Sequence, residues 1–211
     1  MAAVPDPLLV IARDGEHEIE IQRSRFLCRL VRVPDAEAAS AVIAEVRRTH
    51  WQATHNCTAF RVGREGEIQR SSDDGEPAGT AGVPMLEVLL RRGLTDVVAV
   101  VTRYFGGVKL GAGGLVRAYG RAVSETVDLV GVLRRVRHTR FLLAVPHADA
   151  GRVENALRAA GHAVVDVAYG REVEITATAA DPEAFRAWLA AQTGGSVEAV
   201  EVGEADVEVG T

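Results

Sequence analysis

The feature that most constrains the fold is an apolar run followed by a glycine-rich loop and then an amphipathic helix. Residues 96–104 are almost continuously apolar, which is typical of a central strand buried on both faces. Residues 105–114 hold five glycines in ten positions, and a helix is expected from about residue 115 to 129. This order predicts that the glycines lie between a buried strand and a helix N-terminus.

The glycine-rich loop has the chemistry of an anion-binding site. Glycine lets a ligand approach the backbone, and the first N–H groups and the dipole of a helix favour negative charge. Lys109, the only lysine of the chain, lies in the loop, and Arg117 is expected in the first helical turn. A tight loop that merely needs positive φ angles explains the glycines equally well. The loop matches neither the Walker pattern nor a dinucleotide-binding fingerprint.

A second irregular segment, residues 71–84, carries three carboxylates among glycines and prolines. Asp73, Asp74 and Glu76 could hold a hard cation, although turns with solvated carboxylates are the simpler interpretation. His55 and Cys57 are expected on one strand face, but zinc needs further ligands. Their side chains stand about 7 Å apart, which is long for a nucleophile and its base. We therefore predict no metal and no cofactor.

The first part of the chain is expected to alternate strands and helices. Residues 8–12 and 17–22 suggest a strand pair around Asp14 and Gly15, and residues 25–33 a further strand. A helix is expected from residue 34 to about 49, and a strand over residues 53–62. Trp51, Phe60 and Trp188 are predicted to be core residues.

The last third of the chain predicts a βαββαβ order, the split βαβ pattern of ferredoxin-like domains. Gly170 marks a hairpin, and Asp181 followed by Pro182 marks a helix start. The last strand is expected over residues 197–202. Residues 132–140 hold four arginines and no strong pattern, and we place the domain boundary there. The predicted domains are residues 1–135 and 136–211.

The distribution of charge separates the two parts and excludes some functions. Residues 1–136 carry 18 cationic and 17 acidic side chains, whereas residues 137–211 carry 6 and 12. A protein that coats nucleic acid would be strongly basic, so any such contact must be local and in the first part. Two cysteines cannot form a disulfide framework, and no apolar stretch approaches the ~18 residues of a membrane span. The start of the chain has no signal-peptide pattern, so we expect a cytoplasmic protein.

Four stretches of the sequence resemble the IMPACT/YigZ family over about residues 20–130. They are Ser24-Arg25-Phe26, the strand with His55 and Cys57, residues 72–85, and residues 102–119. The remaining chain resembles the second domain of bacterial members by pattern only, and Ala78 stands where a serine is common. The resemblance implies an α+β protein with two domains. The first would be a βαβ domain like that of elongation factor G and the GHMP kinases, and the second would be ferredoxin-like.

The resemblance also implies a function. Eukaryotic members are translation regulators that compete for the activator of a starvation-sensing kinase, and bacterial members are similar to RNA- or ribosome-binding proteins. We therefore expect an RNA- or ribosome-binding protein with a translation-linked role, acting through the glycine-rich loop. The residues carried over as anion-binding are Arg103, Tyr104, Gly106, Gly107, Lys109, Gly111, Gly113, Gly114, Arg117 and Tyr119. Further motif residues are His55, Asp73, Asp74, Glu76 and Thr80.

Two alternatives remain open at this point. One is a Mg²⁺-dependent enzyme that uses a phosphate or nucleotide, with Asp73, Asp74 or Glu76 holding the metal and His55 as acid or base. It requires residues 71–82 to lie close to residues 105–117. The other is a protein-interaction module that uses the same surface on a protein partner.

Overall fold

The computed structural model describes residues 9–210, which form two compact units. The first unit contains residues 9–134 together with 209–210, and the second contains Arg135–Glu208. Both units contain helices and strands, so the chain is a two-domain α+β protein. No helix within residues 9–210 is long and apolar enough to cross a membrane.

The first unit is built on an antiparallel sheet of five strands in the order β2-β3-β6-β4-β5. Its elements are β1 (Leu9–Ile11), β2 (Gly15–Ile21), β3 (Ser24–Arg32), α1 (Ala36–Thr49), β4 (His55–Val62), β5 (Ile68–Ser72), α2 (Gly82–Arg91), β6 (Val97–Tyr104), α3 (Ala112–Val130) and the first residues of β7 (Val132–Val145). Asp35 caps α1, because its side chain accepts a hydrogen bond from the Ala38 N–H.

Helices cover both faces of this sheet, as the apolar run of β6 predicted. Val98 and Val100 pack with Phe60 under α1, whereas Ala99 and Val101 belong to the larger core under α2 and α3. Every residue of β6 is buried except the last. Because successive side chains of a strand point to opposite faces, the end of β6 sends its last two side chains to different sides of the sheet.

The predicted strand pair around Asp14 and Gly15 is wrong. β1 pairs instead with Val132–Arg134 at the start of β7, and β2 pairs with β3. Gln22 and Arg23 form the β2–β3 turn with φ angles of 49° and 67°. Two consecutive positive φ angles match the twist of a hairpin, but the glycine that usually marks such a turn is missing, so the turn could not be predicted.

Two further expectations need correction. Trp51 is 75% exposed in the loop between α1 and β4, whereas Phe60 is buried as predicted and Trp188 is partly buried. α3 begins at Ala112, three residues earlier than predicted, so Arg117 lies in its second turn. Residues 132–140, where the sequence shows no strong pattern, form part of strand β7.

The second unit follows the predicted order of elements. After residues 139–145 of β7 come α4 (His147–Ala159), β8 (Ala163–Tyr169), β9 (Val173–Ala179), α5 (Pro182–Thr193) and β10 (Ala199–Gly210). The sheet order is β10-β7-β9-β8, and both helices pack on its core through residues such as Leu157 and Phe185. Asp181 caps α5 through two backbone N–H groups, and Gly194 ends it with a φ of 62°. β10 is longer than the strand predicted over residues 197–202.

Candidate nucleic-acid interface

A buried ion pair joins residues 71–84, called the acidic segment below, to the end of β6. Arg103 donates from Nη1 to Glu76 Oε1 at 2.6 Å, and the two side chains are 6% and 3% exposed. The Tyr119 hydroxyl donates to the same carboxylate oxygen at 2.8 Å. Arg103 also reaches Ser24 Oγ at 3.4 Å, while its Nε has no hydrogen-bond partner within residues 9–210. Glu76 therefore holds β6, α3 and the acidic segment together.

His55 lies beside this pair with a fixed ring orientation. Its Nδ1 is 2.8 Å from the Asp74 carbonyl oxygen. A carbonyl oxygen only accepts hydrogen bonds, so Nδ1 carries a proton. In the neutral ring Nε2 is then an acceptor, and it lies 3.8 Å from Glu76 Oε2. In that neutral state two acceptor atoms face each other, whereas a protonated ring would point its Nε2–H towards Glu76 across the same 3.8 Å.

The two aspartates of the acidic segment organise the backbone. Asp73 accepts hydrogen bonds from the N–H groups of Gly79, Ala81 and Gly82, at 2.8–3.0 Å. Burial raises the pKa of Asp73, but these three bonds outweigh burial and hold its pKa below the ordinary value. Asp74 binds Arg47 with one carboxylate oxygen and the Asn56 N–H with the other. Both carboxylates are therefore already engaged by donors of the protein.

The acidic segment and the glycine-rich loop meet at one cleft of about 420 Å³. Its lining comes from both segments and from β4 and β6, and consists of Thr54, His55, Glu76, Pro77, Arg103, Phe105, Lys109, Leu110, Gly111, Ala112 and Leu115. The proximity that the enzyme alternative required is therefore present. Phe105 at the rim is 47% exposed, and the Arg103 guanidinium lies 5.4 Å from the centre of its ring.

The glycine-rich loop is held against the β2–β3 turn. A Cβ atom at Gly106 would lie 2.0 Å from the Arg23 carbonyl oxygen, so no other residue fits there without moving the backbone. The buried Ser24 hydroxyl accepts a hydrogen bond from the Gly106 N–H at 3.2 Å. Gly107 and Gly111 adopt positive φ angles of 85° and 70° in open space. Gly113 and Gly114 belong to the first turn of α3 rather than to the loop.

Three exposed cations from separate segments border this loop. Arg23 lies in the β2–β3 turn, Lys109 in the loop itself, and Arg117 in α3. Among the described residues, none of the three forms an ion pair with an acidic side chain. Arg117 lines a second hollow of about 290 Å³ with Gln22 and Gly114, which shares Leu110 with the cleft of about 420 Å³. Arg23 could not be identified from the sequence, because only the fold brings the β2–β3 turn next to the glycine-rich loop.

Several residues carried over from the family resemblance lie elsewhere than expected. Arg103 is paired with Glu76, and Tyr119 is fully buried in the core, so neither is free to contact a phosphate. Tyr104 lies on the opposite sheet face from Arg103, where its hydroxyl is 2.8 Å from His50 Nδ1. Thr80 is buried and donates to the Pro77 carbonyl, which makes it a turn residue.

Cys57 does not have the properties of a nucleophile. Burial raises its pKa to about 12, and its thiol donates to the Asp73 carbonyl at 3.0 Å. No group of three or more His, Cys, Asp and Glu side chains within residues 9–210 is arranged to hold a metal ion.

The arrangement of motifs corresponds to one known family. Residues 22–127 match the Impact N-terminal domain, and residues 143–196 match a domain of unknown function, DUF1949. The protein IMPACT family member YvyE of Bacillus subtilis is 47% identical over 188 residues, which cover 86% of this chain and 84% of YvyE. The chain belongs to the IMPACT family.

Two further comparisons agree with this membership. IMPACT family member YigZ of Escherichia coli is 36% identical over 88% of this chain and 93% of its own length. A solved structure described as the crystal structure of a hypothetical protein aligns with a TM-score of 0.59 and 33% identity. That alignment covers 93% of this IMPACT-family chain and 97% of the solved one, so the similarity extends over both domains.

Proposed function

We propose that this IMPACT-family protein binds RNA through the glycine-rich loop of its first domain, in a translation-linked role. The observation that carries the proposal is the set of three exposed cations, Arg23, Lys109 and Arg117, around one loop. Cations without an acidic partner keep their full charge for phosphates, which dominate the affinity of proteins for nucleic acids. The link to translation rests on the family resemblance.

Two further features suit a single-stranded or looped RNA. The exposed ring of Phe105 offers a surface for stacking a base, as aromatic side chains do in RNA-binding domains. Gly107 and Gly111 leave the backbone of the loop accessible, and the first N–H groups of α3 follow at once. Together they supply base and phosphate contacts within one small surface.

The proposed interface is confined to the first domain. Residues 137–211 carry twice as many acidic as cationic side chains, which opposes contact with a polyanion. The second domain has the element order of a ferredoxin-like fold, which we propose as its class. A ribosomal site or a structured RNA would then approach from the loop side of the first domain only.

The Mg²⁺-dependent enzyme is less well supported than RNA binding. The carboxylates of Asp73 and Asp74 accept hydrogen bonds from backbone and side-chain donors, and Glu76 is paired with Arg103. A hard cation would have to displace these donors. Binding of a protein partner on the same surface remains the result expected if the loop shows no affinity for RNA.

Fluorescence anisotropy with a labelled structured RNA tests the proposal. Lys109→Ala and Arg117→Ala should each weaken binding, and the double variant should weaken it further. Arg171→Ala removes an exposed arginine from the second domain and changes the net charge equally, so it is the matched control. Unchanged affinity in the double variant, or an equal loss in Arg171→Ala, would show that the loop is not the interface.

A further inference from the structure

We propose that the cleft beside the glycine-rich loop binds one ribonucleotide unit whose 2′- and 3′-hydroxyls are both free. His55 and Glu76 accept hydrogen bonds from the two hydroxyls, and Lys109 with the start of α3 binds the phosphate. A free 5′-ribonucleotide and the 3′ end of an RNA share this chemistry. The inference rests on the proposed function, because Lys109 belongs to both surfaces.

The acceptor pair at the floor of the cleft carries this inference. The Asp74 carbonyl keeps a proton on His55 Nδ1, so Nε2 is an acceptor when the ring is neutral. Glu76 uses Oε1 for both of its donors, Arg103 and Tyr119, and its Oε2 lies 3.8 Å from His55 Nε2. A side chain that is only 3% exposed thus presents an oxygen to the cleft without a hydrogen-bond donor among residues 9–210.

Two acceptors that face one ligand require two donors from it. The adjacent hydroxyls of a ribose each supply one O–H group, and carboxylates accept hydrogen bonds from ribose hydroxyls in other nucleotide sites. A phosphate cannot occupy this end of the cleft, because it brings acceptors and negative charge towards a carboxylate. The acceptor pair therefore orients the ligand, with its sugar on the floor and its phosphate away from Glu76.

The opposite lining of the cleft suits the phosphate. Lys109 is exposed there, and Gly111 and Ala112 bring the first turn of α3, whose leading N–H groups have no partner within the helix. A volume of about 420 Å³ lies within the range of small-molecule sites. Phe105 at the rim offers its exposed ring to the base.

Ligands that differ only in the hydroxyls test the inference. Two single-stranded RNAs of one sequence, labelled at the 5′ end, would carry either an ordinary 3′-terminal ribose or a 2′,3′-dideoxy residue. AMP and 2′,3′-dideoxy-AMP would be compared as competitors. We expect the wild type to prefer a diol by roughly tenfold, because a hydrogen bond to a charged group contributes about that much. A preference within the RNA pair identifies the RNA end as the ligand, and a preference within the competitor pair alone identifies the free nucleotide.

The variant His55→Asn tests whether the acceptor pair causes the preference for diol over dideoxy ligands. Its amide can still donate to the Asp74 carbonyl, but it lacks the Nε2 acceptor, so the preference should fall severalfold. Arg171→Ala should retain it. Equal binding of all diol and dideoxy ligands by the wild type would overturn the inference while leaving RNA binding intact. A preference that survives in a folded His55→Asn variant would also overturn it, and no affinity for any RNA would overturn the proposed function itself.

Discussion

Arg103 and Glu76 lie 27 residues apart in the chain and form an ion pair of 2.6 Å in which both side chains are buried. The pair connects the central strand of the first domain to the acidic segment, and Tyr119 adds a contact from α3. A structural role thus accounts for two residues that the sequence placed at the end of a strand and in a separate irregular segment. The charge of Arg103 is used inside the protein, and the exposed cations Arg23, Lys109 and Arg117 remain for a ligand.

Removing one partner of this pair should destabilise the first domain strongly. Arg103→Met leaves the Glu76 carboxylate buried without its counter-charge, and such changes typically cost about 3–5 kcal/mol. Urea unfolding monitored by circular dichroism measures the loss. Arg25→Met is the matched control, because it breaks the exposed pair with Glu18, and it should change the unfolding midpoint little. Similar losses in both variants would mean that the buried pair contributes no more to the free energy of unfolding than the exposed pair.

The capping role of Asp73 predicts how stability depends on pH. The folded protein holds the pKa of Asp73 below its ordinary value, so the ionised form stabilises the fold at pH values above the unfolded pKa of about 3.9. This contribution is lost as the pH falls through the lowered folded-state pKa. The free energy of unfolding should therefore fall less steeply below pH 4 in Asp73→Asn than in the wild type. Parallel curves for the two proteins would contradict the role of the three backbone hydrogen bonds.

The same substitution at two glycines should have opposite effects. Gly106→Ala places a Cβ atom 2.0 Å from the Arg23 carbonyl oxygen, and we expect a loss of about 1–3 kcal/mol, as for other overpacked sites. Gly113→Ala lies in α3 with its nearest neighbour, Arg117 Nη1, at 3.5 Å, and should stabilise the protein by about 0.5–1 kcal/mol. Thermal unfolding compares the two. Equal shifts of the midpoint in one direction would refute the described packing of the loop.

Neither cysteine should react in the folded protein. Burial raises the pKa of both Cys28 and Cys57 to about 12, so the thiolate that thiol reagents attack is nearly absent at pH 8. A chromogenic disulfide reagent should release colour only after urea is added, and two thiols should then react. Rapid reaction of one thiol in the native protein would return Cys57 to consideration as a nucleophile.

The sequence predicted most elements whose signals are local. Asp35 and Asp181 capped helices as expected, Gly170 lies in a hairpin, and the apolar run of β6 became the central strand. The start of α3 was missed, because Gly113 and Gly114 have low helix propensity and resemble the loop before them. Gly114 is also needed for local packing, since a Cβ atom there would lie 2.9 Å from the Leu110 side chain.

Contacts between distant segments could not be predicted. The Arg23 turn meets Gly106 across more than 80 residues, and the pairing of Glu76 with Arg103 depends on how the acidic segment folds back over β6. By contrast, strand alternation alone is enough to separate Tyr104 from Arg103, although the sequence led us to expect both on one surface. The sequence therefore identified the glycine-rich loop as a candidate site, but not the residues from distant segments that the fold brings to it.

The salt dependence of RNA binding tests the central claim most directly. For a single-stranded RNA, each cation that contacts a phosphate contributes about 0.7 to the slope of log affinity against log salt concentration. Lys109→Ala combined with Arg117→Ala should reduce that slope by about 1–2, whereas Arg171→Ala should leave it unchanged. A double variant with the slope and affinity of the wild type would contradict the assignment of RNA binding to the glycine-rich loop.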